Sequence, residues 1–572
     1  MRGLPLSLKR RLLPAALLAA FGCAAPVRRA APPPGALLVV NARFFPEKKG
    51  ADALLARNGR IEAVGPRAEL EARARRTGAR VQDARGGFVL PGFHDAHIHL
   101  LSGALALGWA DLSEVKTPED AARVMADYGR AHPELEVLRG RGWTYDITPS
   151  GSFPSRRDLD AAVGGRPVVL ESYDGHAYWL NSAALERAGI GPTDPDPPGT
   201  RIVREQDGRT PSGAFLDAED FLFARLRMNP SRAEKLAAYE SALRRLASLG
   251  YTSIDSIAWD EPNELELLAT LEKRGKLPLR VSVSPQLDGD LDLYEALRAR
   301  YRGPKLRFGW LKAFVDGVIE SRTAYMVDPY PGGDDRGTPR YDPDRLRARV
   351  REARCRGFAV ELHAVGDGAV RLSLDAFEQA HRACPAAPGA PLDRIEHIEV
   401  VHPDDLARFK ALGVVASMQP YHAVPGDGDS DAGVWAQNLG PERLKRSFAW
   451  RDLSDAGAEL AFGTDWPVMS PDPLRGLAVA ATRRNENGMP PQGWHAAQAL
   501  SLEEAVRAFT RGPARALGIA DRLGSLEPGM LADLVILSPE ADLGRPETLW
   551  RARAAFVAVG GESVARTEDV SP

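Results

Sequence analysis

Two histidines separated by one residue, His97 and His99, end the segment Pro91-Gly92-Phe93-His94-Asp95-Ala96-His97-Ile98-His99. Side chains alternate across a strand, so these two point the same way and can both ligate one cation. An isolated pair of this kind is weak, but other strand ends repeat the theme. His363 closes Phe358-Ala359-Val360-Glu361-Leu362-His363, His397 closes Arg394-Ile395-Glu396-His397, and Asp465 follows Ala461-Phe462-Gly463-Thr464. Four of the eleven histidines and one aspartate thus stand where a barrel of parallel strands gathers its catalytic groups. Lys312 lies inside the apolar run Phe308 to Phe314, where a buried ammonium is costly unless paired or chemically altered. Two readings are open: an ion pair with a carboxylate such as Asp316, or a carbamate made with CO2 that serves as an anionic bridge between two metal ions. Asp95 and Glu361 share strand parity with the ligand candidates and are placed to orient them. His94 reads as a supporting group, His132, His381, His402 and His495 as solvated or capping residues, and His422 as a residue just beyond a strand.

The elements that must position these groups are short apolar strands alternating with helical stretches, the pattern of parallel βα units. Eight strands are expected: Phe88 to Leu90 running into His99, Thr252 to Ile257, Leu279 to Val283, Phe308 to Phe314, Phe358 to His363, Arg394 to Ile398, Val414 to Met418, and Leu460 to Phe462. Eight such strands predict a (β/α)8 barrel of class α/β. The gap at about residues 100–250 is too long for one βα connection and must hold an insertion. Both ends of the chain are β-rich. Ala36 to Val40, Ala53 to Leu55 and Arg60 to Gly65, with the turn pair Asn58-Gly59, answer Ala532 to Leu537 near the other terminus. They are expected to close into one small sheet domain.

Composition narrows the partners. The 572 residues carry 74 Lys+Arg against 77 Asp+Glu, a net charge of −3, so no positive field exists to hold nucleic acid. Three cysteines cannot build a Cys-rich zinc site, so a metal must be held mainly by His and carboxylates. Cys355 and Cys384 are expected as two buried thiols, although an oxidising compartment allows a bond between them. Residues 1–22 have a basic start, an apolar run and Gly22 before Cys23, the layout of a secretory signal. Ala19 to Cys23 resembles a bacterial lipoprotein cleavage box, which makes Cys23 a lipidated first residue and residues 23–35, rich in Ala, Pro and Arg, a tether. The protein is then expected in the cell envelope, anchored to a membrane only through lipid, or secreted.

Six motifs in order resemble the amidohydrolase superfamily, in the branch that contains N-substituted formamide deformylase-like proteins. They are PGFHDAHIH at 91–99, Asp174-Gly175-His176 with Asn181-Ser182, the Lys312 to Gly317 stretch with Ser321 to Ala324, HAVGD at 363–367, RIEH at 394–397, and GTDWPV at 463–468. The resemblance spans about residues 36–560. It implies a metal-dependent hydrolase barrel over 88–514 and a β-sandwich from 36–87 and 515–565. Residue by residue, it implies that His97 and His99 hold the more buried metal and His363 and His397 a second. Asp465 is then ligand and general base, Lys312 the carboxylated bridge, and His176 a group on the substrate side, weighed against a structural histidine in a loop. The implied cofactor is a divalent ion, zinc by preference, one or two per chain. The implied reaction is cleavage of an amide-type C–N bond in a small molecule. A lactonase, carbamate hydrolase or deaminase would use the same centre, and a tethered binding protein without turnover is the reading outside enzymes.

Overall fold

Asn58 and Gly59 both adopt positive φ, 53° and 79°, the conformation a two-residue hairpin turn demands. Ala53–Arg57 accordingly folds back antiparallel on Arg60–Gly65. The computed structural model describes residues 35–148, 152–163, 165–197, 200–259, 263–423 and 433–566. The expected leader, Cys23 and all of the tether except Gly35 lie outside the described residues. Among the described residues no helix is long and apolar enough to cross a membrane.

The hairpin joins Leu37–Val40 and Arg80–Asp83 in a four-stranded sheet. A second sheet, in spatial order, contains Arg43–Phe44, Phe88–Pro91, Leu534–Leu537, Ala554–Val559 and Glu562–Arg566. Leu37, Val39 and Leu54 from the first sheet share one apolar cluster with Val89, Leu534, Ile536 and Phe556 from the second. Alternating inward side chains thus tie the two ends of the chain together.

The larger unit is a (β/α)8 barrel, with two corrections to the expected strands. Phe88 to His99 is not one strand. Gly92 N–H donates to Asp533 in the sandwich and Phe93 N–H to Gly250 in the barrel, so the backbone changes partner there and Phe93–Ile98 begins anew. Phe308 to Phe314 is also two pieces, Leu306–Phe308 and Leu311–Phe314. Gly309 and Trp310 spend their N–H groups on Val283 O and Ser284 Oγ instead of a regular ladder. The barrel order is Phe93–Ile98, Tyr251–Ile257, Arg280–Ser284, the two pieces just named, Val360–Ala364, Arg394–His397, Val415–Met418 and Leu460–Phe462. Lys312 N–H to Pro285 O at 2.8 Å and Leu287 N–H to Lys312 O at 2.7 Å bridge one seam. Asp465 N–H to His97 O and His99 N–H to Trp466 O, both 2.8 Å, close the other.

Between the first and second barrel strands stands a six-stranded sheet running from Ala110–Asp111 to Pro211–Leu216. Its own core includes Leu112, Leu138, Trp143, Leu170 and Trp179. A helix, Arg232–Ser248, started by a Ser231/Glu234 capping box, then returns the chain to the barrel. The expectation of two buried thiols is wrong. Cys355 and Cys384 end the neighbouring helical stretches Pro343–Cys355 and Asp367–Ala383, their Cα atoms 5.1 Å apart, and form a disulfide. Cys355 is exposed and Cys384 half-buried, because both sit at helix ends rather than on core faces.

Candidate metal centre

Neighbouring parallel strands place register partners on the same face, and here that builds two layers. Lys312, Glu361 and Arg394 pair across the lower one, and Phe314, His363 and Glu396 across the upper one. Strand parity would then send His397, next to the inward Glu396, away from the barrel axis. The backbone corrects this: His397 and Ile398 take φ of 75° and 48°, and the turn brings the imidazole to the mouth. Asp465 likewise has φ of 60°. Left-handed non-glycine residues are costly and cluster at functional sites. Gly463 completes the loop, since a Cβ there would stand 2.5 Å from His97 N.

Asp465 is the point of convergence. Its Oδ1 lies 3.3 Å from His97 Nε2 and 3.2 Å from His99 Nε2, and its Oδ2 lies 3.9 Å from His397 Nδ1 and 3.8 Å from His422 Nε2. Donors each about 2.1 Å from one tetrahedral ion stand about 3.4 Å apart, close to these separations. His97, His397 and Asp465 together offer ligand atoms within 4.8 Å of one another, all buried. His363 joins through its ring, 4.3 Å from that of His397, with Nε2 3.2 Å from Gly317 O. Lys312 is fully buried, its Nζ makes no hydrogen bond, and it lies 4.8 Å from the Phe314 ring centre. Asp316 is not its partner. That carboxylate instead accepts the N–H groups of Tyr325, Val365 and Gly366 and shapes the strand-end loop.

The electrostatics suit ligands. Burial pushes His363 and His397 well below the ordinary imidazole range, assisted at His363 by Lys312 and at His397 by His363, His97 and Lys312, so both rings are neutral donors. Burial also lowers His99. Burial pushes Asp465 up, but the hydrogen-bonding rings of His97 and His99 hold it well below the usual carboxylate range. Burial drives the Lys312 amine down against the pull of Glu361, Glu396 and Asp465.

His176 is not brought into this cluster. Its Nδ1 lies 2.8 Å from Asp217 Oδ1 in the insertion, and Asp217 lies 3.8 Å from Arg340 of the barrel. The insertion also reaches over through Tyr173 Oη, which donates to Glu320 at 2.9 Å. Trp259, half exposed, stacks at 5.2 Å on Phe314 and 6.0 Å on His99 and walls the mouth. Asp95 serves the backbone, accepting from His97 N–H, Thr464 N–H and Thr464 Oγ1. Glu361 binds Arg394, and His94 contacts Asp255 at 3.1 Å. Sequence reasoning assigned no role to Arg394, Glu396, Asp255, Trp259 or Glu320. The available signal was parity: Arg394 and Glu396 are charged residues on the inward face of a buried parallel strand.

A (β/α)8 barrel with imidazole and carboxylate donors at its strand ends defines a metal-dependent hydrolase scaffold. The chain belongs to the amidohydrolase family, whose sequence profile matches residues 80–565, and members of that family use divalent metal ions. It is 32% identical over 531 residues to Protein LONG AFTER FAR-RED 3 of Arabidopsis thaliana, covering 88% of this chain and 87% of that one. It is 28% identical over 521 residues to an N-substituted formamide deformylase of Arthrobacter pascens, covering 88% and 93%. The crystal structure of an uncharacterized metal-dependent hydrolase from Pyrococcus horikoshii OT3 is similar with a TM-score of 0.70 at 25% identity, over 89% of this chain and 98% of that one.

Proposed function

We propose that this hydrolase cleaves the C–N bond of a small amide or formamide at a centre held by His97, His99, Lys312, His363, His397 and Asp465. The observation that carries the reading is the meeting of three imidazoles on one buried carboxylate at 3.2–3.9 Å. The residues fit a divalent cation, and zinc suits four imidazoles with carboxylates. His97 has a carboxylate oxygen within 3.3 Å of each ring nitrogen, which a neutral ring with one N–H and one lone pair cannot satisfy by itself. When bound, the cation supplies Lewis acidity and lowers the pKa of water towards ~7.

The chain's own groups do the rest. Asp465 is ionised and accepts the proton of the attacking water on Oδ2, the oxygen turned away from His97 and His99, then returns it to the leaving nitrogen. Lys312 Nζ, which makes no hydrogen bond, would add to CO2 with loss of a proton, and the resulting carbamate would supply anionic oxygens that help hold the cation. The Trp259–Phe314 stack packs the apolar part of the substrate, and His176, held by Asp217, faces it from the insertion. The relationship to an N-substituted formamide deformylase supports a formamide or related amide. The test is metal analysis together with a turnover screen of formamides, amides, carbamates and lactones. Metal without turnover of any C–N substrate, or turnover of lactones alone, would sink the reading.

The protein is further proposed to work in the cell envelope, held by lipid on Cys23. The Cys355–Cys384 disulfide supports this, because such bonds persist in oxidising compartments. Cys23→Ala is expected to move the full chain from the membrane to the soluble fraction, and unchanged fractionation rejects the anchor.

A further inference from the structure

The barrel is also polar near the starts of its strands, away from the strand ends that carry His97, His397 and Asp465. Strand register places His94 beside Ser253 and Ser253 beside Arg280 in one row, and Asp255, Ser282 and Arg307 side by side in the next. His94, Ser253, Arg280, Ser282 and Arg307 from these rows line a small cavity. Its apolar side is Leu517 and Ile519, which follow the helix Arg511–Ala516. The space takes about one water-sized particle. Barrel interiors are ordinarily filled by branched apolar side chains, so a hollow ringed by polar groups at this level calls for an occupant.

The charges around the hollow identify its sign. Arg280 is neutralised by Asp533, with Nε and Nη2 donating to its two oxygens at 2.7 and 2.9 Å. Asp255 is taken up by Arg394 Nη1 at 3.1 Å and by His94 Nε2 at 3.1 Å. Arg307 is left over, since among the described residues its guanidinium makes no hydrogen bond or ion pair. Burial disfavours its positive charge, and Arg522 and Arg280 add to that while Asp255 opposes them. Two further polar atoms of the lining have no partner: Ser253 Oγ, in a residue 3% exposed, and His94 Nδ1, in one 1% exposed. The serine hydroxyl rotates freely enough to donate to whatever accepts from Arg307.

We propose that this cavity binds one monatomic anion, chloride, held by the Arg307 guanidinium and the Ser253 hydroxyl. Water is the competing occupant. It would satisfy Ser253 and His94 but leave the charge of Arg307 unanswered. Phosphate and sulfate are too large for a space of about one water-sized particle. The site is independent of the metal centre at the other end of the strands.

The test uses the full chain in solution, with chloride titrated at constant ionic strength against gluconate and binding read from chloride NMR line broadening. Saturable broadening is expected, weakened about 10–100-fold by Arg307→Gln and about 10-fold by Ser253→Ala, because hydrogen bonds to a charged partner are worth roughly that much. Ser253→Ala removes a single oxygen, so it carries the test even if Arg307→Gln does not fold. Arg302→Gln, which removes an exposed charge nearby, should change the affinity by less than about twofold. In crystals soaked with bromide, an anomalous peak is expected within hydrogen-bond reach of Arg307 and Ser253 Oγ. Broadening that does not saturate, wild-type affinity in Ser253→Ala, an equal loss in Arg302→Gln, or water alone in the cavity overturns the proposal. Stripping metal with a chelator should leave chloride binding intact. Loss of binding on chelation places the ion at the metal centre and also overturns the site, while leaving the metal-dependent reading in force.

Discussion

Asp465→Asn separates catalysis from metal binding because the local backbone allows the substitution. Asp465 has φ of 60°, where Asn is among the residues best tolerated, whereas alanine would add roughly 1–2 kcal/mol of conformational cost. Its N–H bond to His97 O at 2.8 Å is independent of the side chain, so the barrel seam stays closed. What changes is charge. The native carboxylate is ionised, since His97 and His99 outweigh its burial, and the amide can neither take a proton nor balance the cation. Loss of a general base and acid costs about 10²–10⁴ in rate, so kcat should fall at least ~100-fold, about 2.7 kcal/mol of transition-state stabilisation. Four imidazoles remain, so most of the bound metal should remain too. The assay is kcat on the best amide or formamide substrate, with metal content measured on the same preparation. Near-normal kcat with full metal would place the proton shuttle elsewhere and make His176 the next candidate.

Wild-type protein is expected to hold about two metal ions per chain and Lys312→Ala to lose one or both, with partial rescue by short carboxylic acids that replace the missing anion; one ion beside an unmodified ammonium rejects the bridge. The disulfide closes a segment of 29 residues, worth about 3.6 kcal/mol at 25 °C in the chain-entropy account, so Cys384→Ser should lower the unfolding midpoint. Thiol titration of the denatured protein that finds both Cys355 and Cys384 free would remove the premise. Glu504 is held at about 2 mainly by the hydrogen bond of Arg451, with the Ser501 cap assisting. A depressed carboxylate stabilises above its unfolded value near 4.5, and that contribution disappears as pH falls from there through 2. With its side chain 38% exposed, the contribution is discounted to about 1 kcal/mol. Glu504→Gln should therefore lower stability at pH 7 and leave it unchanged at pH 2, as read by denaturant midpoints.

The approach of His97 and His99 to one another was legible because it is local, whereas the arrival of His397 at the mouth depends on a left-handed turn that parity does not foresee. His97 and His99 obey period-two alternation; the close approach of Gly463 to His97 N emerges only from the structure. The hairpin at Asn58-Gly59 was legible for the same reason, since two residues dictate it. The exceptions are the places where long-range partners decide. Gly92 and Gly309 interrupt expected strands because distant backbone groups at Asp533, Gly250 and Val283 capture the neighbouring N–H bonds. The disulfide depends on two helix ends meeting, which a spacing of 29 residues does not reveal.

The same distinction separates reactivity from specificity. The donors around Asp465 come from strand ends, where alternation can be read along the chain for His97 and His99 but not for His397. The walls of the mouth come from pairs such as Tyr173 with Glu320 and Asp217 with Arg340, which join an insertion to barrel loops more than a hundred residues away. Arg394 combines both situations. Its inward parity is visible in a four-residue strand, but its purpose emerges only when Asp255, Glu361, Glu396 and Trp310 are placed around it. A charged residue facing the inside of a barrel strand is costly unless its partners are built with it. Such a residue is therefore itself a reason to look for a buried polar chain leading to the reactive centre.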